Sequence, residues 1–185
     1  MAELIGISLC YAENISFYIP VGHKNIKGLN KDFVVKKLKP ILEDPSIKKV
    51  GQNIKYDFII LKKYGVELNS LEDTMLLSYT LDAGNNRHNM DTLSELHLNH
   101  KTISYKDLVG SGKKQLKFSE VDIDKATEYA AEDADVTLRL YEILSERVSD
   151  EKLSQIYEAF EKPMIKILSK PVSYTHLRAH ETSPH

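Results

Sequence analysis

The hydrophobic pattern changes period along the chain. Leu4–Cys10 (LIGISLC) and Ser16–Gly22 (SFYIPVG) are short, β-rich apolar runs separated by the polar YAEN, a pattern that predicts an antiparallel hairpin. Apolar residues then recur at 33, 34, 35, 38, 41 and 42, a helical spacing that Pro40 is expected to interrupt. IKKVGQN reads as a short buried strand ending near Gly51, and YDFIILKKYG as an amphipathic helix closed by Gly65. DTMLLSYTLDA predicts a helix with Asp73 as its N-cap. The polar loop GNNRHNM, a short helix MDTLSELHLN and a flexible basic loop GSGKKQLKF follow. A long helical pattern runs from Val121 to about Val148, capped by Asp122 or Asp124, and a last helix covers about 151 to 169. Strands precede helices, so the fold class is α/β or α+β.

Composition narrows the function classes. The chain has 185 residues, enough for one packed domain, with 42% hydrophobic and 28% charged residues. No apolar run approaches the roughly 18 residues of a membrane span, and the first residues lack a basic stretch of the signal-peptide kind. The one cysteine, Cys10, excludes an internal disulfide, reads as a small buried strand residue, and suits a reducing, cytoplasmic setting. The net charge of −2 advertises no broad basic surface. A nucleic-acid substrate would therefore need another device for its phosphates, such as a metal ion.

The candidate chemistry lies in carboxylates. YAAEDADVTLRLY, Tyr129 to Tyr141, places Glu132, Asp133 and Asp135 inside the long helix. On a helical wheel Ala126, Ala130, Ala134, Tyr141, Leu144 and Val148 form the expected buried stripe. Asp135 has Arg139 four residues on and reads as a solvated pair, and Glu132 as part of the solvated face. Asp133 flanks the stripe with no cation at three or four residues' distance, and a carboxylate so placed is costly unless something cationic arrives. The helix alone leaves a structural and a metal-binding reading equally open. Asp57 sits in the first turn of a helix, where a carboxylate also favours the helix dipole. Its cluster with Asn53 and Tyr56 at a strand-to-helix corner is where open α/β sheets place active sites.

The ordered series VGQNIKYDFIILKKYGVEL, DTMLLSYTLD, RHNMDTLSELHLNHKTISYKDLVGSGKKQLKF and YAAEDADVTLRLY resembles the 3′–5′ proofreading exonuclease domain of bacterial family A DNA polymerases over nearly all of residues 2 to 170. The resemblance implies a ribonuclease H-like fold, a mixed sheet flanked by helices. It implies that Asp133 ligates a catalytic Mg²⁺ or Mn²⁺, that Tyr129 positions the attacking water, and that Asp57 serves a second ion. It further implies that Gln52 and Asn53 face the terminal nucleotide, and that Tyr56, Arg87 and Tyr105 belong to the single-stranded DNA contacts. His97 and His100 are expected at the surface. The family's first motif, a DxE pair on its first strand, falls before the segment matching AELIGIS. The chain is thus expected to be an incomplete, inactive domain, residues 1–170, of a protein with a polymerase domain as its neighbour. A ribonuclease D-like RNA exonuclease and a non-catalytic scaffold are the rival readings; the EDADVTLRLY and RHNMDTLSE blocks favour the polymerase type. The tail PVSYTHLRAHETSPH, residues 171–185, departs from the family, and Val172 to Glu181 match the translation of a transposase-type sequencing adapter, so it is expected to be non-native.

Overall fold

A computed structural model describes residues 3–169. The expected non-native tail lies outside them. The chain is α/β. Strands β1 (Gly6–Ala12) and β2 (Ile15–Pro20) form the anticipated antiparallel hairpin, with Leu9 opposite Phe17 and a bulge between Cys10 and Ala12. Asn14 takes the left-handed turn conformation at φ 61°, which Asn tolerates better than most residues. Cys10 lies on β1 but is only half-buried.

Helix α1 (Lys31–Glu43) runs through Pro40 without a break, contrary to the expected interruption. The Asn30 side chain caps it by accepting from Phe33 N. Strand β3 (Lys49–Gly51) leads into α2 (Lys55–Lys63), and β4 (Leu71–Asp73) pairs with β3 in parallel, Gly51 opposite Asp73. The sequence pattern gave no sign of β4, because three residues followed at once by a helix carry no period of their own. Among the described residues the two strand pairs form separate sheets.

Helices α3 (Thr74–Asp82), α4 (Met90–Leu98) and the short α5 (Tyr105–Val109) precede α6 (Ile123–Asp150). Asp122 caps α6 through the backbone N–H groups of Asp124 and Lys125. α6 packs on both sheets and on α3 and α4, so it is the beam to which the rest is fastened. The expected last helix is divided into α7 (Ser154–Ile156), a π-type turn over Tyr157–Glu161, and α8 (Lys162–Ser169). Pro163, with no N–H to give, sits beside this break.

Two main apolar clusters result. One joins Val35, Leu42, Phe58, Leu61, Leu71 and Ile165; the other joins Leu77, Leu93, Val136, Leu140, Leu144 and Tyr157. The buried positions of α6 are Ala126, Ala130, Val136, Thr137, Leu140, Leu144 and Val148. Ala134 and Tyr141, expected in the stripe, are only half-buried. Ala126, Ala130, Thr137, Leu140 and Leu144 follow steps of four and three when Asp133 is counted among them. Asp133 therefore does not flank the buried stripe; it occupies a place on it.

Candidate active site

The corner between β3 and α2 is built around a carboxylate that is not itself a predicted ligand. Asp73 is 2% exposed. Its Oδ1 accepts from Asn53 N at 2.9 Å and Met75 N at 2.9 Å, and its Oδ2 from Ile54 N at 3.0 Å. One side chain thus caps α3, as expected, and also pins the turn in which Asn53 stands at φ 59°. Gly51 is required just before it, since a Cβ there would meet Ile54 at 2.8 Å. Behind the corner, Tyr157 Oη accepts from Asp73 N at 3.2 Å and donates to Glu72 Oε2 at 2.9 Å, and Lys162 Nζ donates to Glu72 Oε1 at 2.7 Å. Tyr157 is the first residue of the π-type turn that divides the last helix, and its ring is buried there.

Asp57 stands on the first turn of α2. Solvent reaches its side chain, yet the surrounding protein, and then the Asp73 charge, push its pKa up to about 6. Solvent screening blunts that effect at so open a site. Tyr56 is exposed beside it, with Lys55 Nζ over its ring at 5.5 Å. Gln52 is engaged at both ends of its amide: its Nε2 donates to His88 O at 2.8 Å, and Thr74 Oγ1 donates to its Oε1 at 2.5 Å. It thereby ties the loop before α4 to the end of β3. Arg87, exposed in that loop, is placed by its neighbour His88, whose Nδ1 meets Ser78 Oγ at 2.9 Å.

The second half of the site lies on α6. Asp133 is half-buried and its Oδ1 is a buried oxygen without a hydrogen-bond partner. Burial raises its pKa to about 7; Glu132 and Asp91 push the same way, and the Tyr129 hydroxyl opposes them. Tyr129, one turn earlier on the same face, has its own pKa raised, first by burial and then by the Asp133 charge. Its ring meets Tyr105 edge-on at 6.0 Å and Phe118 at 6.1 Å, while Tyr105 and Phe118 stack at 6.4 Å. Phe118 extends the cluster to Tyr18 and His23. The sequence reading missed Phe118 because it closes a stretch taken as a flexible basic loop, whereas Phe118–Glu120 forms a helical turn fixed to Lys117 and Lys24.

Two acids of α6 depart from expectation. Glu132 is not part of a solvated face. It accepts from His100 Nε2 at 2.8 Å and from Ile103 N at 2.7 Å. His100 is therefore not a free surface residue, and His97 is half-buried. Asp135 does meet Arg139, at 3.6 Å, but it also accepts from Asn14 N at 2.5 Å and fastens the hairpin turn to α6.

A 3′–5′ exonuclease family model matches residues 2–149. The chain belongs to the 3′–5′ exonuclease family. It is 46% identical over 189 residues to DNA polymerase I of Rhizobium leguminosarum, covering 91% of this chain and 19% of that protein. It is 39% identical over 176 residues to DNA polymerase I of Pseudomonas aeruginosa, with the same coverage of 91% and 19%. It thus spans about a fifth of the length of these curated relatives. Among solved structures it superposes on Pol1 from M. smegmatis, in complex with DNA primer-template and dNTP, with TM-score 0.68, 17% identity, and coverage of 90% of this chain and 25% of that one. Brucella melitensis NrnC gives TM-score 0.66 at 19% identity, covering 90% and 73%. At these identities the likeness speaks for the fold.

This exonuclease-family chain has donors of the right chemistry for a hard divalent cation: carboxylate oxygens, one of them buried and unpartnered. Their number falls short. Among the described residues no three acids, histidines or cysteines come together as a metal-holding group. Burial is the first cause of both raised pKa values; the charged neighbour Asp57 feels is Asp73, and those Asp133 feels are Glu132 and Asp91, so the two carboxylates do not act on each other.

Proposed function

We propose that this chain carries part of the proofreading site of a DNA polymerase I, and that Asp133, Tyr129 and Asp57 act there on the 3′ end of single-stranded DNA. The observation that carries the reading is the Asp133 carboxylate. It occupies a place on the buried stripe of α6, it keeps one oxygen unpartnered, and its pKa is pushed up to about 7. A residue held in so unfavourable a state has its compensation in a ligand rather than in the fold. Mg²⁺ or Mn²⁺, when bound, would supply the hydroxide and steady the leaving 3′ oxygen. Asp133 and Asp57 would be two of its ligands, and the site would need donors beyond these two. The parent fold in this reading is ribonuclease H-like, which the combination of an antiparallel pair, a parallel pair and flanking helices supports.

The protein's own groups do the orienting. The Tyr129 hydroxyl is held beside Asp133 by Tyr105 and Phe118 and directs a water toward the scissile phosphate. The ring faces of Tyr105 and Tyr56, both exposed, accept bases of any sequence by stacking. Arg87 reaches a backbone phosphate, while Asn53 and the Gln52-held loop border the terminal nucleotide. The polymerase domain of the same cytoplasmic protein would deliver the frayed end. The test is digestion by the full-length polymerase bearing this segment. 5′-labelled single-stranded DNA should shorten stepwise from its 3′ end, and matched RNA should be spared. Preferential RNA digestion would favour a ribonuclease D-like enzyme, and no digestion a scaffold domain.

A further inference from the structure

Glu132 stands between the two residues of α6 that the proposed function uses, yet its carboxylate points away from them to a different element. Its oxygens divide the work: Oε1 accepts from His100 Nε2 at 2.8 Å and Oε2 from Ile103 N at 2.7 Å. These partners bracket the segment that joins α4 to α5. Two further bonds fix that segment from the α4 side. Thr102 Oγ1 donates to Asp91 Oδ1 at 2.7 Å, and Ser94 Oγ donates to His100 O at 2.8 Å. The segment leaves α4 through Asn99 in the left-handed conformation, φ 49°, and enters α5 through the Ser104 cap. α5 has five residues, too few to be stable by itself. Its place against α6 must come from anchors, and the polar anchor that reaches α6 is Glu132. The first residue of α5 is Tyr105, whose ring packs on Tyr129 and Phe118.

We infer that Glu132 is a positioning residue: by clamping His100 and Ile103 it sets Tyr105 against Tyr129 and so orients the phenol beside Asp133. The inference rests on the proposed function for its effect on activity, but not for the clamp itself. A doubly used, half-buried carboxylate is a costly way to make a surface, and a sound way to hold a loop at a fixed distance from a helix.

Two measurements separate these parts. In the 185-residue chain, hydrogen exchange should speed up at Ile103 and across residues 104–108 in Glu132→Ala by about tenfold or more. The β3–α2 corner should be unaffected, and Glu132→Gln, which still accepts from Ile103 N, should restore most of the protection. Unchanged exchange at 103–108, or faster exchange throughout the chain, overturns the clamp. In the full-length polymerase, Glu132→Ala should lower kcat/KM on single-stranded DNA about tenfold, and in a Tyr105→Ala background it should cost less than about twofold more. Additive losses would mean that Glu132 does not act through Tyr105. A wild-type polymerase without exonuclease activity would refute the proposed function and leave the exchange result to judge the clamp.

Discussion

Replacing Asp133 by Asn should make the isolated chain more stable at pH 8 and clearly less so at pH 5. The side chain keeps its shape, but the neutral amide no longer pays for ionising in a half-buried place on the α6 stripe. The Asp133 carboxyl is raised from 3.8 to about 7, which corresponds to a ceiling of roughly 4 kcal/mol. Solvent reaches part of this half-buried group and the neighbouring charges relax, so about 1–2 kcal/mol is the realistic figure. The sign follows from the proton count. Between about pH 4 and pH 7 the unfolded chain has already lost this proton while the folded chain retains it, so the wild type loses stability as pH rises through that window. At pH 5 the folded wild type is neutral here but its unfolded chain is already ionised, so only the first part of that loss, about a third, is present. The assay is thermal unfolding in EDTA at the two pH values. The variant should melt ~2–8 °C higher at pH 8. A variant less stable than wild type at pH 8, or stabilised equally at pH 5, would refute the reasoning.

Three other perturbations probe the framework. Asp73→Ala removes the acceptor of three backbone N–H groups, and urea unfolding should show a loss of about 2–4 kcal/mol, with exchange rising first at Asn53 and Ile54. Tyr157→Phe leaves buried Glu72 and Asp73 N without the hydroxyl between them and should cost about 1–3 kcal/mol in the same measurement. Tyr129→Phe removes the hydroxyl that holds the Asp133 pKa down, so carboxyl-carbon NMR should find Asp133 titrating at higher pH than in wild type; an unchanged or lower value would break the pairing of the two residues.

The parts of this fold that the sequence made legible are those with a long period or a strong punctuation mark. The hairpin, the Asp73 and Asp122 caps and most of the 28-residue α6 were all visible as pattern. β4 and α5 were not, because three and five residues are too few for a period of 2 or 3.6 to repeat and be recognised. Pro40 was expected to interrupt α1, but the helix is continuous through it, and the last helix is divided by a π-type turn instead. At the site, Asp133 stood out by what it lacked, a nearby cation. Its true position on the stripe emerged only when Thr137 and Leu140, rather than Ala134 and Tyr141, proved to be inside. Glu132 was misread, and Asp135, whose pairing with Arg139 is present, was read only in part, for one physical reason. An acid on a helix face is legible as solvated or paired along its own helix, whereas their main partners, Ile103 N and Asn14 N, belong to distant loops. Gln52 shows the same limit: its amide is bonded to His88 O and Thr74 Oγ1, which no local spacing could indicate.

The central claim, that α6 presents a catalytic carboxylate at Asp133, is tested most directly by comparing wild type and Asp133→Asn in the full-length polymerase on 5′-labelled single-stranded DNA with Mg²⁺. The account predicts stepwise 3′–5′ shortening by the wild type and a loss of about a thousandfold or more in the variant, with primer extension unchanged. Digestion by Asp133→Asn at the wild-type rate would contradict it.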